Sequence, residues 1–449
     1  MSLELNIINN EFVFSGRSIH ITKDKNALLK PYHKQLLNYG LKLQLLPNEK
    51  QIEMLNQQIG NARFVRNNYL SKRIEVYETS KQTLTVNEFK KTYLPILKQN
   101  YPFLNLSDKF ALESAIEHVD NAYNRFYDNV KQHRKVGNKN VYGFPQFASK
   151  FKPNGNKYTT KFTNNNIELL YMDNLPYIKI PKIGKIRFVL PKGKTIEDII
   201  PQYTRITSIS IQKETRNYFV SIQLETIIDE IVPISSKSNT IDRKTIYAID
   251  MGIKYFGVLG NEYKTQIIDN PRWIKLHQNR LRRFQKSLSR KQYDVDTHKG
   301  SKNWEKCKLK VAKEQRKIRN QRLDFQHKLS RQIINSCNVF ICEDLNIKGM
   351  LSNHKLAKEI ASCGWSQFLT FVKYKLERKG GIFLQVDRFF SSSKICYHCG
   401  HKNTKLKLKD RVWKCPQCNT ILDRDENAKN NLYKEGIRLL QQDFHLAIS

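Results

Sequence analysis

Three carboxylates that are far apart along the chain have the residue type and setting of a catalytic metal site. Asp250 ends the apolar run 246–249, Glu343 ends the apolar run 339–342, and Asp425 belongs to an Asp-Arg-Asp sequence near the C-terminus. Carboxylate oxygens are ligands that Mg²⁺ prefers, and acids around two such ions can support in-line attack of water at phosphorus. The set predicts a nuclease with two Mg²⁺ ions held by Asp250, Glu343 and an aspartate of that Asp-Arg-Asp sequence.

Each acid also has an ordinary structural explanation when it is considered alone. An acid at the end of a strand can cap a turn or pair with a basic neighbour, and aspartates at a helix N-terminus are common caps. Side chains alternate along a strand, so only one of Glu343 and Asp344 can face the site. Asp423 stays open as an alternative to Asp425 for the third ligand. The combination of all three acids in one basic chain favours catalysis.

Four cysteines have the spacing of a zinc site with four thiolate ligands. Two Cys-x-x-Cys pairs are separated by fifteen residues: Cys396 and Cys399, then Cys415 and Cys418. Such a set leaves no open coordination position, so the spacing predicts a structural Zn²⁺ rather than a catalytic one. We expect the nearby His398 and His401 to be bystanders.

The charge of the chain predicts a polyanionic partner. Lys and Arg number 78 against 41 Asp and Glu, which gives a net charge of +37. Residues 273–331 contain 19 basic and 5 acidic residues in a helical pattern, where like charges three or four positions apart repel one another. Nucleic acid is the expected partner. The candidate phosphate contacts are Arg63, Arg66, Arg280, Arg283, Arg290, Lys291, Lys302 and Lys394.

Several other classes of protein are disfavoured by the sequence. The apolar runs are shorter than the roughly 20 residues needed to span a bilayer, so we expect no membrane partner. The N-terminus lacks a basic region followed by an apolar core, and an intracellular location is therefore expected. Neither a Gly-x-Ser-x-Gly motif nor a Gly-rich phosphate loop of the Walker type is present.

Hydrophobic periodicity predicts two kinds of structure before residue 230. A strand over 41–46 is expected to precede three helices, and short β runs then follow. The expected helices lie at 49–70, 86–99 and 108–133, and the expected strands at 177–181, 185–191, 208–211 and 218–224. The simplest architecture is a small antiparallel barrel or sandwich interrupted by a helical insertion. Residues 230–244 have the composition of a linker.

The motifs of the chain resemble those of the TnpB family, whose eukaryotic and giant-virus relatives are called Fanzor and which is related to type V CRISPR effectors. The resemblance covers roughly residues 41–440. It is carried by the following stretches: Leu43-x-Leu45-x-Pro47, Gly143-Phe144-Pro145, Asp250-x-Gly252-x-Lys254, Glu343-Asp344-Leu345, Gly364-Trp365-Ser366, Ser391-Ser392-Ser393-Lys394-x-Cys396 and Asp423-Arg424-Asp425-x-Asn427-Ala428.

The resemblance implies an α+β multidomain fold, in which a β-barrel "wedge" domain carries a helical insertion and a RuvC/RNase H-like α/β nuclease domain carries a zinc-ribbon insertion. The implied boundaries are an N-terminal extension with the first wedge strand (1–47), a helical recognition insertion (48–139), the wedge barrel (140–240), the RuvC-like domain (241–390), the zinc ribbon that contacts target nucleic acid (391–420) and a C-terminal RuvC segment (421–449).

The resemblance also implies an activity, namely RNA-guided cleavage of double-stranded DNA beside a short adjacent motif. The partners would be a guide RNA derived from a transposable element and the DNA target, with one protein chain per RNA. The family's three catalytic acids fall on Asp250, Glu343 and Asp425. Because all three are present, a nuclease-inactive RNA-guided regulator is disfavoured, and a DNA transposase with the same fold is the other alternative. The location would be cytoplasm or nucleoid in bacteria, and nucleus or viral factory otherwise.

Overall fold

A computed structural model describes residues 5–8, 11–14, 17–18, 26 and 29–449, except 137–142, 151, 153–154, 298, 354–355 and 408–409. For residues 5–18, 133–136, 299 and 348 it describes the backbone alone. The chain forms two compact units, Met1–Glu230 and Ile231–Ser449. In the part of the chain that is described, no helix has both the length and the apolar content needed to cross a bilayer.

The first unit is built on a seven-stranded antiparallel sheet in the order β5-β9-β10-β4-β8-β7-β6. A three-stranded sheet precedes it. The strands are β1 (Leu5–Ile8), β2 (Glu11–Phe14), β3 (Arg17–Ser18), β4 (Lys34–Leu46), β5 (Lys157–Lys161), β6 (Glu168–Met172), β7 (Leu175–Ile180), β8 (Gly184–Val189), β9 (Thr204–Glu214) and β10 (Asn217–Asp229). The four strands expected after residue 140 are confirmed as β7 to β10, and the strand expected over 41–46 is the second half of β4.

The expected closure of this sheet into a barrel is not observed. Among the described residues, β5 and β6 each pair with one neighbour and form the two edges of the sheet. The long strands β4 and β10 pair along twelve positions, from Tyr218 opposite Leu45 to Asp229 opposite Lys34. Length and curvature of individual strands are set by such cross-strand pairing, which periodicity in one segment does not encode.

Two long helices cover one side of the first unit. Helix α1 (Glu49–Ser80) begins at a capping box in which Asn48 and Gln51 bond reciprocally, and α4 (Lys109–Val136) packs against it. Between them lie the short helices α2 (Val86–Glu88) and α3 (Leu94–Asn100), joined by a π-helical turn at Phe89–Tyr93. The four-residue helix α5 (Ile196–Ile199) connects β8 to β9. The three expected helices are confirmed, with a break in the second.

The second unit contains a five-stranded sheet in the order β14-β13-β12-β17-β18. Strands β12, β17 and β18 are parallel to one another, whereas β13 and β14 are antiparallel to their neighbours. The strands of this sheet are β12 (Ile246–Asp250), β13 (Tyr255–Gly260), β14 (Thr265–Asp269), β17 (Val339–Glu343) and β18 (Ile382–Val386). Three short hairpins or pairs complete the unit, formed by β11 (Thr240–Ile241) with β21 (Ala447–Ile448), β15 (Tyr293–Asp294) with β16 (Lys299–Gly300), and β19 (Val412–Lys414) with β20 (Ile421–Asp423).

Helices cover both faces of this sheet. One face packs against α8 (Lys302–Ser336), α10 (Ala357–Cys363) and α11 (Trp365–Glu377), and the other packs against α12 (Arg424–Asp443). The basic region is helical, as expected, and its 17-residue helix α7 (Trp273–Ser289) lies along α8. Helix α9 (Ile347–Leu351) follows β17. The four-residue helix α6 (Ile234–Lys237) begins the unit.

Of residues 230–244, which have the composition of a linker, all but Glu230 belong to the second unit. Strand β11 pairs in parallel with β21, and Ile241 is buried in the core beside α12. The segment is polar on its exposed positions, and isolated isoleucines rather than a periodic pattern anchor it, so composition alone misses its role. The boundary expected between residues 139 and 140 lies outside the described residues.

Gly436 allows α12 to approach the sheet closely, and this gives a stability prediction. A Cβ at this position would lie 2.3 Å from Cδ1 of Ile341 on β17. We therefore expect Gly436→Ala to lower the free energy of unfolding by about 1–3 kcal/mol through overpacking, although Gly→Ala within a helix ordinarily stabilises by up to about 1 kcal/mol. Urea unfolding measures the change.

The matched control is Gly60→Ala in α1, where a new Cβ would be 3.9 Å from the nearest heavy atom outside the helix backbone. This control is expected to keep or raise stability. Adding Ile341→Ala to Gly436→Ala should cost less than the two single changes together, because the new methyl group would enter the space that Ile341 leaves. Additive losses would show that the close approach of α12 is not what selects glycine.

Candidate active site

Parallel pairing of β12 with β17 brings two of the candidate acids to one edge of the sheet. Ile249 lies opposite Cys342, so Asp250 and Glu343, the next residues, both end their strands at the same edge. Side chains alternate along each strand. Ile246, Ala248, Val339 and Ile341 face the core beside α12, and by this alternation Asp250 and Glu343 project towards the same side.

The third acid comes from the first turn of α12, which packs against β12 and β17. Asp423 accepts hydrogen bonds from the backbone N–H groups of Asp425 and Glu426, both at 3.0 Å, and is exposed. It is therefore the N-cap of the helix. Asp425 is half-buried and lines one cleft together with Asp250 and Glu343. Of the two candidates for the third acid, Asp425 is the one that faces the cleft.

The three acids repel one another electrostatically. Burial raises the pKa of Asp250 well above its ordinary value, and the negative charges of Asp425 and Glu343 raise it further. The pKa of Glu343 is also raised, mainly by burial and then by Asp344. Arg424 and Arg411 act in the opposite direction on the pKa of Asp250 but do not offset burial and repulsion. A cluster of this kind gains free energy when cations bind between the carboxylates.

The donor atoms of the acid cluster suit divalent cations. Asp250, Glu343 and Asp425 offer carboxylate oxygens, which hard cations such as Mg²⁺ prefer as ligands. The negative charge that the three acids accumulate in one cleft favours cation binding there.

Arg411 contacts one of these acids. Its guanidinium Nη1 lies 3.3 Å and 3.5 Å from the two carboxylate oxygens of Asp425. The contact follows from the hairpin of β19 and β20, in which Val412 pairs with Asp423 and Arg424 donates its backbone N–H to the Arg411 carbonyl at 2.8 Å. The cysteine-rich segment thus places the Arg411 guanidinium beside the acid cluster.

The four cysteines form a compact cluster with the ligand set of a zinc site. The sulfurs of Cys396 and Cys418, and those of Cys399 and Cys415, are 3.6 Å apart. Each pair ends in a tight turn whose next residue has a positive φ, Gly400 at 77° and Asn419 at 58°. The cluster can hold one Zn²⁺, as the spacing predicts. His398 and His401 are not part of it.

Two asparagines of α12 fasten the cysteine-rich segment to the helix. Asn427 accepts a hydrogen bond from Tyr397 N–H at 2.9 Å and donates to the Ile395 carbonyl at 2.7 Å. Asn431 donates to the carbonyls of Ser392 and Ile395 at 2.7 and 2.6 Å. Both asparagines are buried, so these amides are specific anchors rather than surface contacts.

The basic candidates in the second unit have different settings. Arg280 of α7 lies 3.3 Å from Glu314 of α8, which His277 also contacts at 2.6 Å, so Arg280 takes part in holding the two helices together. The remaining candidates on or beside this pair of helices are exposed: Arg283, Arg290, Lys291 and Lys302. Lys394 is half-buried and lines the cleft with the three acids.

Arg63 and Arg66 lie in the first unit. Arg63 donates to the Gly155 carbonyl at 2.8 Å and Arg66 to the Gln146 carbonyl at 2.9 Å, and burial lowers the pKa of both. Together with Arg125, Lys152 and Lys157 they line a cavity of about 460 Å³. Each of the two arginines thus holds a loop in place as well as lining a basic cavity.

Several residues at the cleft are absent from the candidates that the sequence offers, among them Arg411, Arg424 and Phe389. Arg411 and Arg424 reach the acids through the β19–β20 pairing, which spans residues that are eleven apart in sequence. Phe389 also lines the cleft. A signal for it exists, because two adjacent phenylalanines stand in the polar segment that follows β18, but sequence alone does not tell which of them is exposed.

Three family models match parts of the chain. Residues 223–354 match a model described as "Probable transposase", and residues 365–432 match the "Cas12f1-like, TNB domain". Residues 37–82 match a model described as "Helix-turn-helix domain", and in the structure this stretch is most of β4 followed by one long helix.

Related proteins match over most of the chain. A protein of Streptomyces pristinaespiralis named "Putative RNA-guided DNA endonuclease" is 27% identical over 413 residues, which cover 90% of either chain. The protein InsQ of Escherichia coli, with the same description, is 21% identical and covers 89% of this chain and 93% of its own. "TnpB-like protein L770" of Acanthamoeba polyphaga mimivirus is 24% identical over 56% of this chain and 46% of its own. The chain is thus similar to proteins of the TnpB family.

Solved structures show a weaker likeness. The structure titled "CasPhi-2 (Cas12j) bound to crRNA" has a TM-score of 0.46 and 9% sequence identity, covering 89% of this chain and 98% of that one. At this level of similarity the comparison carries no argument about the site.

The cysteine cluster predicts the zinc content of the protein. We expect about one zinc per purified chain, and Cys396→Ser should reduce this value strongly because it removes one of four thiolate ligands. Elemental analysis after gel filtration measures it. The control is Cys307→Ser, which changes a partly exposed thiol outside the cluster and should leave the zinc content unchanged. An unchanged zinc content in Cys396→Ser would rule out the ligand set.

The repulsion among the acids predicts a stability change in the absence of divalent metal. Asp250→Asn removes a negative charge that burial and two neighbouring carboxylates disfavour. The unfolding temperature in EDTA at neutral pH should therefore rise. The adjacent control is Asp344→Asn, which breaks the ion pair between Asp344 and Arg388 and should not stabilise. A lower unfolding temperature for Asp250→Asn would contradict repulsion as the dominant effect at the site.

Proposed function

We propose that this protein is an RNA-guided endonuclease that hydrolyses phosphodiester bonds of double-stranded DNA beside a short adjacent motif. The observation that carries the proposal is the cleft in which Asp250, Glu343 and Asp425 come together from two parallel strands and a helix N-terminus. The named relatives, described as RNA-guided DNA endonucleases, support the guided and DNA-directed parts of the proposal.

The second unit has features that support its assignment as a RuvC/RNase H-like domain. Its five-stranded sheet combines an antiparallel edge with three parallel strands and ends its first strand in a carboxylate, as an RNase H-like fold does. In this proposal residues 391–420 are a zinc ribbon inserted between β18 and α12, and residues 421–449 complete the nuclease domain. The sheet and helices of the first unit would be the wedge and recognition domains.

The residues of the cleft would divide the work of hydrolysis. The three carboxylates would hold two Mg²⁺ ions, which supply Lewis acid activation of water and stabilise the leaving oxygen. Among the described residues, Lys394 and Lys402 line the cleft without a carboxylate partner, so their ammonium groups can contact phosphates of the strand. Arg411 would exchange its contact with Asp425 for one with a phosphate when cations occupy the acids.

Specificity would come from a guide RNA bound through phosphate contacts. The net charge of +37 and the exposed basic residues of α7 and α8 support electrostatic binding of nucleic acid. Such contacts read shape and charge rather than sequence, and base pairing with the guide would supply the sequence information.

The proposal predicts that Asp250→Ala separates cleavage from binding. Cleavage of a target DNA in the presence of Mg²⁺ and guide RNA should fall by roughly 10³-fold or more, because the variant lacks one of the three carboxylates that would hold the Mg²⁺ ions beside the reacting phosphate. Guide RNA and target DNA should still bind, because the proposed phosphate contacts come from Lys and Arg side chains, which the substitution leaves in place. Gel assays of cleavage and of binding, run on the same preparation, measure both quantities.

The reagents come from expressing the protein with its flanking genomic DNA and sequencing the RNA that stays bound in moderately high salt. A discrete RNA that extends beyond the transposable element would provide the guide for the assay.

The control variant is Asp423→Ala, which removes a helix cap outside the cleft and should retain most of the activity. If wild-type protein with this RNA joins DNA strands rather than hydrolysing them, the transposase alternative is correct.

A further inference from the structure

Phe389 is exposed to an unusual degree for a phenylalanine. Of its surface, 84% is accessible to solvent, the highest value among the large hydrophobic side chains that the structure describes. It lies three residues after Val386, where β18 ends its parallel pairing with β17, in the loop that enters the cysteine-rich segment. A fully exposed aromatic ring forgoes the free energy of burial, so its position calls for a physical reason.

The loop that carries Phe389 is held in one conformation by several contacts. The Asp387 carboxylate accepts the backbone N–H of Phe389 at 2.8 Å, and the Asp387 carbonyl accepts that of Phe390 at 3.0 Å. The Arg388 guanidinium pairs with the Asp344 carboxylate, next to Glu343. Phe390 packs against the core beside α12. The exposure of Phe389 is therefore a result of fixed geometry and not of a loose loop.

The exposed ring belongs to the cleft of the three acids. Phe389 lines that cleft with Asp250, Glu343 and Asp425, and the cations at its wall are Lys254, Arg388, Lys394, Lys402, Arg411 and Arg424. An aromatic face beside a row of cations is the arrangement by which proteins hold single-stranded nucleic acid, with bases stacked on rings and phosphates held by charge. In a duplex both faces of each base are already covered by neighbouring bases.

We propose that Phe389 stacks on an unpaired base of the DNA strand that enters the cleft, and thereby positions the adjacent phosphate at the acids. This inference rests on the proposed nuclease function and narrows its substrate to a locally single-stranded segment. Phe389 acts as a positioning residue, because it touches a base and not the reacting phosphorus.

The expected effect on binding and cleavage follows from the stacking energy of one base. Loss of one base–aromatic contact lowers affinity by roughly 5- to 100-fold. Phe389→Ala should therefore slow cleavage by a factor in this range at low substrate concentration, with a smaller effect at saturation. Phe389→Trp keeps an aromatic face and should retain activity. The matched control is Tyr263→Ala, at a ring with 63% exposure in the turn between β13 and β14, outside the cleft.

A scan with abasic nucleotides tests the contact directly. Substrates that lack one base at successive positions of the cleaved strand are assayed with wild type and with Phe389→Ala. For wild type, one position near the cut should be sensitive to base removal, and that position should become insensitive in Phe389→Ala. A pattern of sensitivity that is the same in both proteins overturns the proposal.

A second measurement reports binding without cleavage. In the Asp250→Ala background, the fluorescence of 2-aminopurine at the sensitive position should be quenched on binding, and adding Phe389→Ala should remove that quenching. Loss of guide RNA from Phe389→Ala would mean that the ring contacts RNA, which overturns the assignment to the cleaved strand. If wild type itself does not cleave, the proposed function fails; if wild type cleaves and Phe389→Ala cleaves equally well at low substrate concentration, only the stacking inference fails.

Discussion

The parallel pairing of β12 with β17 is the interaction on which the site depends. It places Asp250 and Glu343 side by side at one sheet edge, on the face that α12 covers. The cost is electrostatic, because two half-buried carboxylates and the nearby Asp425 repel one another. The buried apolar core on both faces of the sheet stabilises this arrangement against the repulsion. The same repulsion creates a strong preference for cations in the cleft.

Much of this arrangement could be predicted from local sequence. The apolar runs before Asp250 and Glu343 identify buried strands, and the spacing of the four cysteines identifies a metal cluster, because each signal lies within a few adjacent residues. The capping role of Asp423 could have been anticipated from its position before a helical segment. The structure distinguishes the roles of Asp423 and Asp425 through the geometry of the first helical turn, where Asp423 accepts hydrogen bonds from two backbone N–H groups.

The features that the sequence did not reveal depend on contacts between distant residues. Arg411 reaches Asp425 only because β19 pairs with β20, and the seven-stranded sheet stays open because of how its edge strands pair. Residues 230–244 have the composition of a linker, because their one buried isoleucine, Ile241, packs in a core built from residues distant in sequence and β11 pairs with β21 at the other end of the unit. The exposure of Phe389, rather than of Phe390, is likewise decided by hydrogen bonds of Asp387.

The asparagines of α12 attach the cysteine-rich insertion to the helix that carries Asp425. Asn427 and Asn431 hold backbone carbonyls of residues 392–395, while Asp425, less than two turns away on the same helix, lines the cleft. Deleting the insertion to make a shorter variant would leave the buried side-chain amides of Asn427 and Asn431 without hydrogen-bond partners. The first turns of α12 would lose the contacts that hold them. Any shorter replacement must therefore supply backbone carbonyls in place of those of Ser392 and Ile395. The insertion can vary in length only after these residues.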